Sequence, residues 1–533
     1  MDYQKVSSLA KRRGFFQPAS EPYGGLAGFF DYGPVGVKFR EKILRLWKRH
    51  YVLGLGCLEL DGALVGPEAL FKASGHLSEF DDPLVECEEC NKNYRADQLV
   101  EGGDGMSRKE MGEALKSMCC PSCEGSLSEL SAFNLMFATE VGAGRGVKGY
   151  LRPETAQSIF QCFPWLYRLN RNKMPLAVSQ IGRSYRNEIS PRQGLLRMRE
   201  FTQMEVEHFF LSENEPSIPS HLGGVSLVLV PNEGESLETN IENAVKNDIV
   251  GSSLVGTHLA AAQAFLLSVG IPKESLRWRQ HRKDEMAHYS QDCWDGEIKT
   301  SIGWVEVVGV AHRGDYDLQS HGKSSGVEFR VPVPGTSKTV EKWVLNVGAL
   351  GKEFKSKAGD IQKIVTDMEL VPGMEISLDG GVISLGEEFF KKEITQESEM
   401  VYPCVVEPSF GLDRLFYSIL ETAWKEDGER QWLSLPKMVS PYDVLVAPLM
   451  TKDGLAERAK EICNMLLENG IDAFYDESGS IGRRYARADE VGIFFSMTVD
   501  HQTLEDGTVT LRERDSKNQS RVPIDDALSK LGR

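Results

Sequence analysis

The 533-residue sequence has no run of about 18 apolar residues, which excludes a helix of membrane-spanning length. Its first residues, MDYQKVSSLAKRRGFF, lack the apolar stretch and small-residue cleavage site of a secretory leader, so the expectation is a cytoplasmic protein without a membrane partner. Positive charge is scarce: 61 Lys and Arg stand against 78 Asp and Glu, a formal net charge of −17, which removes any global attraction to nucleic acid. Salt screens such fields over about 10 Å, so a polyanion could still be met at specific places. Internal repeats and low-complexity tracts are missing, which argues against solenoids and linkers. The ten cysteines do not form the framework of a small secreted domain, and five of them (Cys57, Cys162, Cys293, Cys404 and Cys463) stand singly, as small buried hydrophobes do. What remains is 41% hydrophobic and 26% charged, the composition of a globular protein long enough for two or more cores.

The chain divides by pattern. Val35, Phe39, Ile43 and Leu46/Trp47 recur at helical spacing and predict an amphipathic helix over residues 35–51, with Lys38, Arg40, Lys42, Arg45 and Lys48 on its other face. A polar, cysteine-bearing stretch at 85–125 reads as an insertion between a first segment, 1–84, and a third, 126–211. Residues 212–295 read as a second insertion, around the helical GTHLAAAQAFLLSVG. Residues 296–434 return to strand and helix, interrupted by a variable piece near 320–400. Past Pro436, strands and helices alternate in a separate α/β domain, 435–533. The expected class is α+β.

The densest chemistry lies in RNEISPRQGLLRMREFTQMEVEH, residues 186–208, where Arg186, Arg192, Arg197 and Arg199 alternate with Glu188, Glu200, Glu205 and Glu207. The flanks predict a hairpin with a long tip. Side chains alternate along a strand, so Phe201, Gln203, Glu205 and Glu207 share one face, as do Arg186 and Glu188. Guanidinium groups grip phosphate, carboxylates hold an ammonium or a magnesium ion, and a Phe face stacks on a base. An exposed hairpin laced with salt bridges, each contributing at most about 1 kcal/mol, would give the same charge pattern.

RNE followed by REF resembles motif 2 of the class II aminoacyl-tRNA synthetases. FGLDRLFYSIL resembles motif 3, and the basic amphipathic helix leading through LDGALVGPEAL resembles motif 1, with Pro67 at the dimer interface. Within that class the match is to the glycine-specific synthetases of the archaeal and eukaryotic dimeric type, through DYGPVG, ASGHLSEFDDP, FNLMF, LRPETAQSIF, VEPSFG and GSIGRRYARADEVG. Asp413 departs from relatives that carry a second glycine in the motif 3 turn.

The resemblance implies a class II antiparallel sheet flanked by helices, with insertions, plus an anticodon-binding domain. It implies a homodimer that activates glycine with ATP and transfers it to the 3′ end of tRNA(Gly). Arg186, Glu188 and Arg414 are the implied catalytic residues, with Arg186 on the α-phosphate and Arg414 on the γ-phosphate. Asn187, Arg197, Met198, Phe201, Glu306 and Val307 complete the ATP contacts, Mg²⁺ accompanying the nucleotide at Glu306 or Glu188. Glu154, Glu205 and Glu407 would surround the glycine ammonium, with Ser409 narrowing the cavity, Pro408 also at the glycine, and Arg313 taking the carboxylate. For Arg313 a salt bridge with Asp315 or Asp317 is the alternative, for Glu154 a charge at a helix start, and for Glu205 a cross-strand ion pair. A clash rejects larger amino acids well, so no editing site is expected.

CEEC at 87–90 and CPSC at 120–123 give two Cys-x-x-Cys knuckles. Four thiolates suit a structural Zn²⁺ held by Cys87, Cys90, Cys120 and Cys123, with Cys119 a second choice for one ligand. In the last domain Arg483, Arg484 and Arg487 are candidates for a tRNA-facing basic patch, against a plain helix-surface cluster. Three other readings are another class II synthetase, a synthetase-like accessory protein that binds nucleic acid without catalysis, and a secondary synthesis of diadenosine polyphosphates.

Overall fold

The computed structural model describes residues 3–531 except 145, 192, 284, 287–289, 367, 379 and 380; Arg192 of the hairpin tip thus lies outside the described residues. Residues 329–403 form one compact unit and the rest of the chain another.

The larger unit is built on a nine-stranded sheet. Its strands are β1 (Leu58–Leu60), β2 (Leu176–Tyr185), β3 (Glu200–Phe210), β4 (Ser226–Val230), β5 (Leu237–Asn240), β6 (Leu276–Gln280), β7 (Asp292–Thr300), β8 (Gly303–Gly314) and β9 (Cys404–Gly411). They run in the order β5-β4-β6-β7-β8-β9-β3-β2-β1. The six strands from β6 to β2 are antiparallel throughout, as expected, whereas β4 with β6 and β1 with β2 are parallel, which makes the whole sheet mixed. The segment 212–295 supplies β4, β5, β6 and part of β7 to this same sheet.

Period-two alternation separates two chemistries on the two faces. Met204, Val206, Val308, Val310, Val406 and Phe410 are buried on one face against three helices. These are α2 (Pro34–Lys48), α4 (Ser253–Ser268) and α5 (Leu412–Ala423), two further helices being α1 (Tyr3–Arg12) and α3 (Ala156–Leu169). Helix α2 buries Phe39, Ile43 and Trp47 at the predicted spacing, and its backbone runs against Phe15: a Cβ on Gly36 would lie 1.8 Å from the Phe15 carbonyl oxygen. Each fully buried Phe or Leu in this layer contributes roughly 1.5–3 kcal/mol. The other face carries Gln203, Glu205, Glu207, Gly309, Arg313, Glu407 and Ser409, and α3 packs over part of it through Phe160 and Phe163 on Phe209.

The cysteine-bearing stretch folds as a three-stranded sheet of Asp81–Glu86, Asn93–Arg95 and Ser131–Asn134 with a capped helix, Arg108–Leu115. The last domain contains β10 (Val444–Pro448), β11 (Ala473–Tyr475), β12 (Phe495–Val499), β13 (Thr508–Glu513) and β14 (Gln519–Pro523), in the order β11-β10-β12-β13-β14, with α6 (Leu455–Glu468) and α7 (Ile481–Val491). It meets α2 through Lys42, whose Nζ lies 3.0 Å from Asp443 and 3.3 Å from Asp472, with the Lys42 and Asp443 side chains buried.

The unit at 329–403 has its own core of Leu350, Ile361, Val365, Ile376 and Leu385. Hairpins of Lys338–Leu345 with Phe390–Glu397 and of Met374–Leu378 with Gly381–Leu385 enclose it.

Candidate active site

The β2–β3 hairpin holds perfect antiparallel register from Leu176↔Phe209 to Tyr185↔Glu200, so the tip begins at Arg186. Arg199 ties that tip back on itself by donating to the Glu188 carbonyl at 2.8 and 3.0 Å and to the Ala27 carbonyl at 3.2 Å. Arg197 Nε donates to Glu188 at 2.8 Å. Arg186 donates to the Pro153 carbonyl at 3.1 Å, and its guanidinium lies over the rings of Phe80 and Phe201.

These side chains open on a cavity of about 170 Å³. Arg186, Glu188, Arg197, Met198 and Phe201 line it from the hairpin, Glu306 and Val307 from β8, and Arg414 from the start of α5. Of the residues expected at the nucleotide, Asn187 is not part of this lining; its backbone N–H donates to the Leu135 carbonyl at 2.8 Å. Arg414 is fixed by Leu196, whose carbonyl accepts at 3.2 Å, and by the Glu306 carboxylate at 3.0 Å.

Asp413, the departure noted above, is buried beside this cavity. It accepts from the Tyr32 hydroxyl and from the Thr202 backbone N–H at 2.5 Å, joining α5 to the strand that carries Phe201.

Along the same face, register places Glu205 opposite Ser409 and Gly309 beside Ser409, forming a second, acid-lined recess. Glu205 is 2% exposed and accepts from the backbone N–H of Thr155 at 2.9 Å, from the Thr155 and Ser409 hydroxyls, and from Gln203 at 2.7 Å. Burial and the neighbouring Glu154 push its carboxyl above the usual range. Glu154 itself, 3.6 Å from His76 and hydrogen-bonded by Gln157 at 2.9 Å, is opposed by burial, but His76 and Arg313 outweigh that and hold it below the usual range.

Glu407 is pushed up to about 7 by burial, with Glu205 and Glu154 adding to the rise and Arg313 opposing it. Arg313 reaches Glu407 at 3.1 Å and Asp317 at 2.8 Å, so the expected salt bridge to Asp317 exists alongside its place in the recess; Asp315 is not its partner in these bonds. Pro408, expected at the glycine, needs correction: it alternates with Glu407 and Ser409 onto the opposite, apolar face of β9, where it pairs with Val310, so its ring does not line the recess. Thr155, Gln203 and His76 were not among the expected site residues. Gln203 carried a signal, its shared face with Glu205; Thr155 and His76 lie in LRPETAQSIF and ASGHLSEFDDP, segments that carry the resemblance, but nothing local in the sequence joins them to Glu205 and Glu154.

The four expected cysteine sulfurs converge, all within 4.8 Å of one another, with Cys87–Cys123 at 3.4 Å and Cys90–Cys120 at 3.7 Å. Zinc–sulfur bonds of about 2.3 Å in a tetrahedron require sulfurs just under about 4 Å apart, so the set fits the ion. Cys120 supplies the fourth thiol and Cys119 is exposed outside the cluster.

In the last domain the basic patch needs correction. Arg484 is 2% exposed, donating to the carbonyls of Pro448, Glu477 and Gly479, because helix α7 turns this position onto the loop before it. Arg487 pairs with Asp476 and with the Ser478 carbonyl, leaving Arg483 as the exposed member of the three.

A family model described as the tRNA synthetase class II core domain (G, H, P, S and T) matches residues 144–222, and one described as an anticodon binding domain matches 443–533. The glycine–tRNA ligase of Methanocaldococcus jannaschii is 42% identical, the match covering 99% of this chain and 98% of the relative. That of Methanothrix thermoacetophila is 43% identical over 99% and 96%. Among solved structures, prolyl-tRNA synthetase of Giardia lamblia in complex with prolyl-adenylate superposes with a TM-score of 0.56 at 13% identity, covering 99% of this chain and 74% of that one, a likeness of fold. With motifs 2 and 3 on paired strands of one sheet and full-length identity above 40%, the chain belongs to the glycine–tRNA ligase family of class II synthetases.

Proposed function

We propose that the chain activates glycine with ATP to glycyl-adenylate, releasing pyrophosphate, and then transfers the glycyl group to the 3′ end of tRNA(Gly). The observation that carries this reading is the placement, on one face of one sheet, of an arginine-lined cavity beside an acid-lined recess with a glycine, Gly309, in its floor. A glycine carboxylate attacking the α-phosphate needs both reactants held in line more than it needs a protein nucleophile.

Arg186 neutralises the α-phosphate while Phe201 stacks on adenine, and Arg414, at the start of α5, takes the γ-phosphate. Met198, Val307 and Arg197 border the base, with Asn187 holding the hairpin tip in place. Glu205, Glu154 and Glu407 receive the ammonium, Ser409 closes the space a Cβ would occupy, and Arg313 turns from Glu407 toward the substrate carboxylate. Glu306 and Glu188 are the carboxylates that would hold Mg²⁺, which when bound neutralises the phosphates. Cys87, Cys90, Cys120 and Cys123 would hold a structural Zn²⁺.

Arg483 is the residue of the last domain best exposed to meet tRNA. A homodimer is supported by the exposed apolar Leu64 and Val65 beside Pro67 and by Trp165 and Leu169 on α3. No helix among the described residues is long and apolar enough to cross a membrane, and the compartment we propose is the cytoplasm. The test is ATP–pyrophosphate exchange with each of the twenty amino acids. Exchange dependent on glycine alone is expected; exchange driven by another amino acid, or by none, overturns the reading.

A further inference from the structure

One carboxylate of the site face has no role in the reaction as described. Glu207 is fully buried, and neither of its oxygens accepts from an N–H or hydroxyl of any described residue, while the Glu407 carboxyl lies within hydrogen-bonding reach. Register explains what it faces: with Glu205 opposite Ser409 and His208 opposite Val406, Glu207 falls opposite Glu407. Its own strand adds Glu205, β8 adds Arg313, and β2 presents the apolar Val178. Helix α3 carries no acid, and its one cation, Arg168, is exposed. The cation that acts on it, Arg313, already spans Asp317 and both oxygens of Glu407.

A buried carboxylate without a donor or a cation of its own is unfavourable, and the cheapest relief is a proton. Burial and then Glu407 raise the Glu207 carboxyl well above its ordinary range, in keeping with this. The proton then has one natural acceptor. Glu407 takes its hydrogen bonds from the Arg313 side and has lone pairs left toward β3.

We propose that Glu207 is a positioning residue of the glycine recess, a neutral carboxylic acid whose O–H donates to Glu407 and keeps the Glu407 carboxylate turned toward the substrate ammonium. The inference rests on the assignment of the recess to glycine. It explains why an acid that cannot touch solvent stands directly behind one that touches substrate: a carboxylic acid can donate to a carboxylate without adding a second negative charge.

The test is glycine-dependent exchange by the full-length protein from pH 6 to 9, with Glu207→Gln and Glu207→Met beside wild type. Gln keeps an N–H donor and should hold the KM for glycine within about threefold of wild type, with the acid limb of its pH profile still near pH 7, where Glu407 takes up a proton. Met keeps the bulk without the donor and should raise that KM roughly tenfold or more, the scale of one lost hydrogen bond to a charged group, with the KM for ATP and the melting temperature unchanged. The proposal is overturned if Gln loses as much as Met, if Met loses nothing, or if the acid limb of Gln drops by a full pH unit, which would mean that the replaced group had been ionised. Should Met fail to fold, the Gln arm decides alone. A wild-type protein inactive with glycine would instead refute the assignment of the recess, a result distinct from any of these.

Discussion

At the scale of residues, the site pairs Arg197 with Glu188, Arg414 with Glu306 and Arg313 with Glu407, and leaves Arg186 outside that pairing. Arg186 is held by a backbone carbonyl and two rings rather than by a carboxylate, so its charge remains available to a phosphate. Arg186→Ala should lower the rate of adenylate formation by roughly 10²–10³-fold, as removal of one transition-state donor does, while tRNA binding and melting stay near wild type; exchange at wild-type rate would refute its role. Glu407 supplies a pH dependence whose sign is fixed. Its folded value of about 7 lies above the ordinary carboxylate range, so it is ionised above pH 7 and neutral below. Glycine affinity should therefore weaken as pH falls through 7, a trend measurable as KM for glycine in exchange. Residue identity on β3 was legible from period-two spacing alone. The partner of Glu205 was not, because Thr155 lies 50 residues away and only the packing of α3 on the sheet joins them.

At the scale of elements, the strands and helices that carry the site are tied to pieces outside it. Behind β3, His208 Nδ1 lies 3.1 Å from Nε2 of the fully buried His258 on α4, which stacks on Tyr51. Burial lowers His208 to about 4 and His258 well below its ordinary value. Both must therefore stay neutral in the fold. The stability this represents is complete above about pH 6.5 and is lost as pH falls toward 4, on the order of 3 kcal/mol for His208. Melting temperature should drop over that interval, and His258→Phe should flatten the drop. The cysteine module touches the hairpin tip where Ser190 Oγ donates to the Asn93 carbonyl at 2.8 Å. Loading the four thiols with Zn²⁺ and then stripping it with a chelator should therefore raise the KM for ATP severalfold and loosen amide protection around residues 85–125. An unchanged exchange pattern and KM would show the module to be uncoupled. The paired knuckles were readable in the sequence. Arg484 was read the wrong way, since spacing on a helix does not reveal which flank meets neighbouring carbonyls.

At the scale of the whole molecule, net charge is strongly negative and Arg483 is the exposed member of the three arginines proposed to meet tRNA, so a change there should be felt. Arg483→Glu is expected to raise the KM for tRNA roughly tenfold without altering glycine-dependent exchange, and an effect on exchange would place Arg483 elsewhere in the mechanism. Long-range organisation was partly legible. Strands β2, β3, β8 and β9 lie in segments whose pattern reads as strand, whereas β4, β5 and β6 are only four or five residues long and lie in the segment 212–295 that reads as an insertion, even though SLVLV of β4 is an apolar run. Their parallel partners are set by chain reversals that no local pattern encodes.

The division of one sheet into an oily side and an ionic side has a further outcome. Deleting a single residue inside β3 would swing Glu205 and Glu207 into contact with Phe39 and Trp47 and throw Met204 and Val206 toward the substrates. Such a shortened strand loses its enzyme and its architecture in one stroke, so insertions and deletions can accumulate in the tip and the outer segments while the length of this strand stays fixed.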